Sequence, residues 1–447
     1  MVGVRDNNEI TIIYRINFYF RGSLIDRGIY MKKRYLFMAI LLLTILLLNT
    51  VFVSASDEFW IMEQWVDQPM GFGISTDSES NPVFTYTLYT VLPDNIIIKT
   101  KKLSHESGQC QWEKTHNDES IPNFARDVAV DSLDNVVVIG TKGGDWLILK
   151  YDPSGTMLWQ ETYDSGDGDY VHGVAVDSSD NIIVTGKGGS LCLTRKYSPN
   201  GDYLDEMVYT DDVSCAPRDV VVDSEDNIIV AGEEGDDYFI VKYDANGELW
   251  RQKHDRGNTD RAYGVAVDSM DNIVVTGISE FTENTVLWYG YLTLKYEPSG
   301  ALLWAKAFDN MEHESYAYDV TVDQSDNIYV TGLSGEETFT IRYDRDGISR
   351  WSRRFSVGPD PCIGHNVVVD ADGNLLVSCY SGGTFDATYY IIKYLITGEG
   401  DGQSSIDELS DEIESMKDVM ESMQELLQSI LDWIDKLPIG LKRLYEG

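Results

Sequence analysis

Seven positions in the chain carry its most chemically varied residues: Phe72, Arg126, His172, Arg218, Tyr263, Tyr318 and His365. Each stands five residues before an aspartate that closes a short apolar run, at Asp77, Asp131, Asp177, Asp223, Asp268, Asp323 and Asp370. The residues around them are mostly Val, Ala and Gly. Guanidiniums, imidazoles and phenols set at one register and brought to one axis would converge on a point. Such a set suits a small anion or a sugar, because Arg pairs with anions and aromatic faces take flat rings. It would equally serve to cap a channel, bonding water and backbone. A dispersed acid–base pair, such as His172 with His365 or Asp319, would make an enzyme with no local motif. No catalytic residue is assigned. The chain has no His-Glu-x-x-His, Gly-x-Ser-x-Gly or phosphate loop.

The element that must position these residues is a repeat. Its clearest copy is Gly173-Val-Ala-Val-Asp-Ser-Ser-Asp-Asn-Ile-Ile-Val-Thr-Gly186. The β-branched residues suit a pleated strand, and Asp177, Asp180 and Asn181 are turn formers. The register aspartates are spaced 54, 46, 46, 45, 55 and 47 residues apart. Periods near 45 with four strand signals each point to propeller blades. The third strand ends in a shared phrase, as at Lys150-Tyr151-Asp152-Pro-Ser-Gly155 and Lys242-Tyr243-Asp244-Ala-Asn-Gly247. A Trp follows at Trp112, Trp159, Trp250, Trp304 and Trp351, in a role better suited to packing between sheets than to a ligand. The last copy stops after its third strand at Tyr394, whereas Phe59-Trp60-Ile61 has the fourth-strand pattern. The spacing therefore predicts an all-β, seven-bladed β-propeller over 57–397, closed by an N-terminal strand that removes the open sheet edge.

The motif Val-Ala-Val-Asp-Ser-x-Asp-Asn followed by Val-Thr-Gly, at 174–186 and 265–277, resembles the secreted β-propeller repeat family (SBBP) and, more distantly, the NHL repeats. The Lys-Tyr-Asp-x-x-Gly…Trp phrase matches too. The resemblance covers most of 57–397. It implies a secreted or surface propeller and no particular activity.

Two long insertions widen the face bearing the varied ring. They are Ser279–Gly290, with Trp288 and Tyr289, and Ser381–Tyr390, with Tyr389 and Tyr390. These read as loop aromatics able to stack on a sugar or grip a protein, or simply as local packing. The repeated Asp turns read as Asx turns; Asp370-Ala-Asp-Gly-Asn374 is the best calcium candidate and a weak one. No cofactor or metal is otherwise expected. The five cysteines, Cys110, Cys192, Cys215, Cys362 and Cys379, are scattered. They leave open small buried thiols or one or two disulfides, and they argue against a zinc site.

The ends carry separate signals. Met31-Lys-Lys-Arg34, an apolar run over 35–48 and Val53-Ser54-Ala55 form a signal peptide over 31–55 with cleavage after Ala55. An uncleaved anchor is the alternative, and the only route to a membrane. Residues 1–30 then read as an upstream extension of the true start. Export to the cell surface or medium follows. At the other end, 398–404 is a Gly-rich linker and 405–437 an amphipathic helix. Ile406, Leu409, Ile413, Met416, Met420, Met423, Leu427, Ile430, Ile434 and Leu437 form an unbroken heptad seam, predicting self-association as a coiled coil. A lone helix packed on the propeller is the alternative. Residues 438–447 are a tail. The net charge of −39 argues against nucleic acid. Together these features predict an exported protein that binds a protein or carbohydrate, made multivalent by its helix; the alternatives are an extracellular lyase or hydrolase and a structural surface protein.

Overall fold

The computed structural model describes residues 2–5, 9–12, 59–66, 72–91, 94–117, 121–209, 215–256, 259–283, 286–308, 313–357, 360–383 and 386–396. The chain divides into two units, one of residues 57–403 and one of 1–56 with 404–447. In the second, the described part is a hairpin of Val2–Arg5 with Glu9–Ile12. The expected signal segment, the Gly-rich linker, the helix over 405–437 and the tail lie outside the described residues.

The larger unit is a ring of antiparallel sheets that follow one another in chain order. Blades 1 to 6 each have four strands. Their innermost strands are Phe72–Thr76, Asn123–Val130, Tyr170–Val176, Cys215–Val222, Asp260–Val267 and Ser315–Val322. Blade 7 begins with Cys362–Val369 and continues through Leu375–Gly383 and Asp386–Tyr394. Each inner strand touches the next around the axis, and that of blade 7 touches that of blade 1.

The second strand of each blade shows why the repeat is so apolar. Ile182, Ile183 and Val184 are all fully buried, although side chains alternate faces along a strand. Ile182 and Val184 pack with Val137, Ile139 and Trp146 of blade 2. Ile183 packs with Val220, Ile228 and Val230 of blade 4. Both faces of the sheet are therefore core. The outer strands are the wet edge, and Met157–Tyr163 is mostly exposed.

Each residue of the Asp-Ser-x-Asp-Asn turn has a bond to make. Asp177 Oδ1 accepts the amides of Ser179 at 2.9 Å and Asn181 at 2.8 Å. Asp180 sits in the left-handed region at φ 60°, which Asp tolerates better than most residues. Ser178 then reaches across to the next blade: its amide and hydroxyl donate to the two oxygens of Asp226 at 2.9 and 2.6 Å. The same clasp joins Ser78 to Asp134, Ser132 to Asp180, Ser224 to Asp271 and Ser269 to Asp326.

The Lys of the Lys-Tyr phrase completes the turn from behind. Lys102, Lys150, Lys196, Lys242, Lys295 and Lys393 pair with Asp77, Asp131, Asp177, Asp223, Asp268 and Asp370 at 2.5–2.8 Å. Blade 6 has Arg342 there, and Tyr329 donates its hydroxyl to Asp323 at 2.9 Å instead. Burial is the largest influence on Asp268 and pushes its carboxyl up. The bonds from Lys295 and Asn272 outweigh it, so the carboxyl ends below its usual range.

The outer-strand tryptophans are packing residues, as their recurrence suggested. Trp112, Trp159 and Trp250 donate Nε1 to the carbonyls of Pro153, Pro199 and Pro298 in the next blade at 2.9–3.0 Å. Two expectations change. The insertions in blades 5 and 7 are long strands rather than loops: Ile273–Glu283 pairs with Val286–Tyr296, and Leu375–Gly383 with Asp386–Tyr394. The cysteines, left open between thiols and disulfides, resolve into both. Cys192 and Cys215 form a disulfide between blades 3 and 4. Cys362 and Cys379 are buried thiols, and Cys110 is exposed.

Candidate functional site

The varied ring owes its geometry to a β-bulge. In blades 2 to 7 the pairing of the inner strand slips by one residue, and the extra residue is Arg126, His172, Arg218, Tyr263, Tyr318 or His365. A bulge leaves one residue unpaired and re-aims its side chain. The side chains converge, because neighbours around the ring meet. The Arg218 guanidinium lies 5.7 Å from the Tyr263 ring centre. Tyr263 and Tyr318 are 5.7 Å apart, and Tyr318 stacks on His365 at 5.1 Å. In blade 1 the backbone of Phe72 pairs opposite Tyr86 with no bulge, and its side chain lies outside the described residues.

The ring has two unlike arcs. On blades 2 to 4, Arg126 and Arg218 flank His172. Burial, then Arg218, Arg126 and Lys187, push this imidazole down to about 3, so it is neutral at physiological pH. Glu233 holds Arg218 at 2.6 Å and Arg261 at 2.7 Å. On blades 5 to 7 the wall is aromatic. Tyr316 stacks between Tyr289 at 5.5 Å and Tyr318 at 6.4 Å, and His365 also meets Tyr380 at 5.7 Å. Burial lowers His365 to about 4, so it too is uncharged.

Directly after the ring residue comes a second ring with a strict alternation: Gly73, Asp127, Gly173, Asp219, Gly264, Asp319, Asn366. Asp127 accepts the amides of Val128 at 2.8 Å and, in the next blade, Val174 at 3.1 Å. Asp219 bonds Val220 and Val265 in the same way, and Asp319 bonds Val320 and Val367. The intervening positions must be small. A Cβ on Gly173 would lie 2.9 Å from Asp219 Cα, and one on Gly73 would lie 2.6 Å from Asp127 Cα. Burial raises Asp127 to about 8, with the charge of Asp219 adding to it, and raises Asp219 to about 6. Asp319 is also raised, first by burial and then by Asp219. Of these carboxyls only Asp319 was singled out in the sequence, as a candidate partner of His172; the signal for the set was the Gly/Asp alternation one residue past the ring.

The four aromatics expected on loops divide. Trp288 and Tyr289 are half-buried in blade 5, and Tyr289 joins the aromatic arc. Tyr389 and Tyr390 are buried in blade 7. Tyr389 stacks on Phe84 at 5.3 Å, and Tyr390 meets Phe355 edge-on at 5.9 Å. They are core residues, because they stand at regular third-strand positions: Tyr389 lies five residues before Tyr394, as buried Trp146 and Tyr238 lie five before Tyr151 and Tyr243. The turn proposed for calcium bonds like its relatives: Asp370 accepts Lys393 Nζ at 2.7 Å and the amides of Asp372 and Asn374.

No family model and no curated protein matches the chain. Solved structures do. A streptogramin B lyase is similar at 13% identity and TM-score 0.52, over 74% of this chain and 97% of that one. The chain is a seven-bladed β-propeller. The propeller domain of the Trilobed protease from Pyrococcus furiosus, described as having an open velcro topology, matches at 8% identity and TM-score 0.46, over 74% and 97% of the two chains. Polysaccharide lyase Uly1 matches at 11% identity and TM-score 0.44, over 73% and 90%. At such identities the likeness concerns the fold alone.

Proposed function

We propose that this propeller is an exported binding protein of the secreted propeller-repeat kind, taking a sugar that bears an acidic group at its channel ring. The carrying observation is the split ring. The Tyr263–Tyr318–His365 arc offers flat faces to a sugar, and Arg126 and Arg218 beside neutral His172 offer donors to a carboxylate or sulfate. A long polyanion fits less well, since the net charge of −39 repels it at a distance. Export is supported by the segment 31–55 and by the Cys192–Cys215 bridge, since disulfides persist in oxidising compartments. For the seventh blade we propose that Phe59–Val66 serves as the outer strand. Its backbone register, Phe59 opposite Tyr394 and Val66 opposite Ala387, supports this reading. The heptad seam over 405–437 supports self-association and hence avidity.

The test is calorimetric titration of the full chain with uronic-acid oligosaccharides and their neutral counterparts. The acidic sugars should bind, and Arg126→Ala with Tyr318→Ala should weaken them at least tenfold. Equal binding of neutral and acidic sugars, or none, overturns the reading. A second reading, a lyase or hydrolase at the same ring, would use His172 as an unprotonated imidazole beside the two arginines, a weak base because the burial and charges that keep it neutral also oppose its protonation. Cleavage of the same oligosaccharides, lost in His172→Gln, would establish it over simple binding.

A further inference from the structure

A third-strand residue five places before the Tyr of the Lys-Tyr phrase reaches toward the next blade. In three junctions it is a large aromatic, and the second strand of the next blade answers with glycine. Trp146 lies against Gly186, Tyr238 against Gly277 and Tyr291 against Gly332; a Cβ on those glycines would stand 3.0, 2.7 and 2.7 Å from the aromatic. The polar tips finish the joint, each donating to a carbonyl of the next blade, at Lys187, Leu292 and Phe339. Two junctions have a small residue in the aromatic's place, and a cysteine pair stands in both. Between blades 3 and 4 that residue is Cys192 itself, bridged to Cys215. Between blades 6 and 7, where the phrase reads Arg342-Tyr343, it is Thr338, and Cys379 takes the glycine's place on the second strand.

The backbone makes room for the exchange. Cys379 stands opposite Gly364 across the sheet and Cys362 opposite Ser381, so the two cysteines are diagonal neighbours on one face. In blades 2 to 6 the residue opposite the second-strand glycine is Ala125, Val171, Pro217, Ala262 or Ala317. In blade 7 the glycine has moved to the first strand, which leaves space beside Gly364 for the Cys379 side chain. Cys362 holds the same repeat position as Cys215, three residues before the ring residue. The two sulfurs are 3.4 Å apart, and both side chains are fully buried. The Thr338 hydroxyl donates to the Cys362 carbonyl at 3.0 Å and lies 3.5 Å from its sulfur, so the junction closes directly over the pair.

We propose that Cys362 and Cys379 are oxidised to a second disulfide, which ties the first two strands of blade 7 together just ahead of the bulge that carries His365. Bond formation brings the sulfurs from 3.4 Å to about 2.0 Å, a closing of about 1.4 Å that side-chain rotation supplies. The oxidant is a small disulfide such as oxidised glutathione. One cysteine thiolate attacks it, forming a mixed disulfide and releasing one glutathione thiolate; the second cysteine thiolate then displaces the other. The two cysteine protons end on the two glutathiones, which carry away the two electrons. Burial holds the Cys379 thiol well above its usual range. A thiol kept protonated is a poor nucleophile, so the bridge forms on the folding chain, before blades 6 and 7 close over it. The same burial then shields it from reductant. The bridge fixes the strand leading into His365, and with it one end of the aromatic arc.

The experiment folds the full chain in a buffer of reduced and oxidised glutathione, then unfolds it in guanidinium chloride containing N-ethylmaleimide. Intact mass counts the alkylated cysteines, and non-reducing digestion maps the bridges. Of the five cysteines, only Cys110 should be alkylated, with Cys362 and Cys379 in one linked pair of peptides. Alkylation of Cys362 and Cys379 beside Cys110 overturns the proposal, as does alkylation of all five or a bridge from either sulfur to Cys110. In Cys379→Ser, Cys362 loses its partner and should be alkylated together with Cys110. Amide hydrogen exchange over 362–369 should then quicken severalfold relative to 315–322, the inner strand of blade 6. Unchanged exchange would overturn the hold on His365. Should this variant fail to fold, the count on the unaltered chain decides.

Discussion

At the register turn, Asp131, Asp177, Asp223 and Asp268 each bind a lysine, an Asn side chain and the same pair of amides. Five residues earlier on the same strands, Arg126, His172, Arg218 and Tyr263 share only a backbone bulge. The turn is a closed set of bonds, so any change of residue leaves a buried partner unsatisfied. At the channel the backbone geometry repeats while the side chain is free to vary, because a bulged residue carries no packing duty within its own sheet. The repeat thus separates the part of the blade that holds the ring together from the part that can be shaped to a ligand.

The sharpest way to break that contrast is to remove one lysine. Lys295→Met leaves the Asp268 carboxylate, fully buried, without its ammonium. Loss of one partner of a buried pair costs about 3–5 kcal/mol. Tyr318→Phe, at the channel, should cost under about 1 kcal/mol because the ring and its stacking remain. Urea unfolding of the full chain measures both. Similar costs for the two would mean that the channel is as structural as the turn.

A second test uses pH. The register carboxyls lie below their usual range, so their stabilisation is present above pH 4 and is lost as the pH falls further. The channel carboxyls have the opposite sign. Asp127, raised to about 8, holds a proton in the folded chain that the unfolded chain has already released. Its contribution therefore falls as the pH rises toward 8. His172 and His365, lowered to about 3 and 4, favour the folded state above pH 6.5 and lose that contribution below it. Between pH 6.5 and 8 the histidines are neutral in the folded chain and lose only their remaining protons in the unfolded one, so the channel carboxyls set the sign of the slope. The unfolding free energy from urea titration should fall across this window by an amount on the order of 1 kcal/mol, the midpoint falling with it, and Asp127→Asn should flatten the slope. A midpoint that rises, or a slope untouched by Asp127→Asn, contradicts the assignment.

The periodicity made the blades legible, because apolar pattern, turn residues and Trp all recur where the backbone needs them. What stayed hidden was pairing across the repeat. The Lys and Asp exemplified by Lys150 and Asp131 stand at fixed places in every copy but the sixth, yet nothing local says that the ammonium of one meets the carboxylate of the other. The ring at Arg126 and His172 was legible as variation against a constant background, but its bulge was not. Asp127 and Asp219 escaped, and Asp319 stood alone rather than as one of a set, because alternation between blades is a property of the ring, visible only once neighbours are known. Tyr389 and Tyr390 misled because an insertion reads as a loop whether it lengthens a loop or two strands.

The smallest effect tests whether the turn rules are complete enough to be added where the repeat omits them. Between blades 6 and 7 the clasp is missing: Gln324 stands where blades 1 to 5 have Ser, and Gly373 where blades 2 to 6 have the left-handed Asp. Gly373 already has φ 83°, and a Cβ there would meet nothing within 4 Å. Gln324→Ser together with Gly373→Asp should recreate the pair seen at Ser178 and Asp226. Either change alone should be neutral or slightly destabilising, since Gly373→Asp without a partner keeps only the cost of a left-handed backbone. The double variant should gain about 0.5–1 kcal/mol over the sum of the singles, the net worth of an exposed charge-assisted bond. A double-mutant cycle by urea unfolding reads this coupling directly. A coupling of zero would mean that the clasps elsewhere follow from blade packing rather than contribute to it.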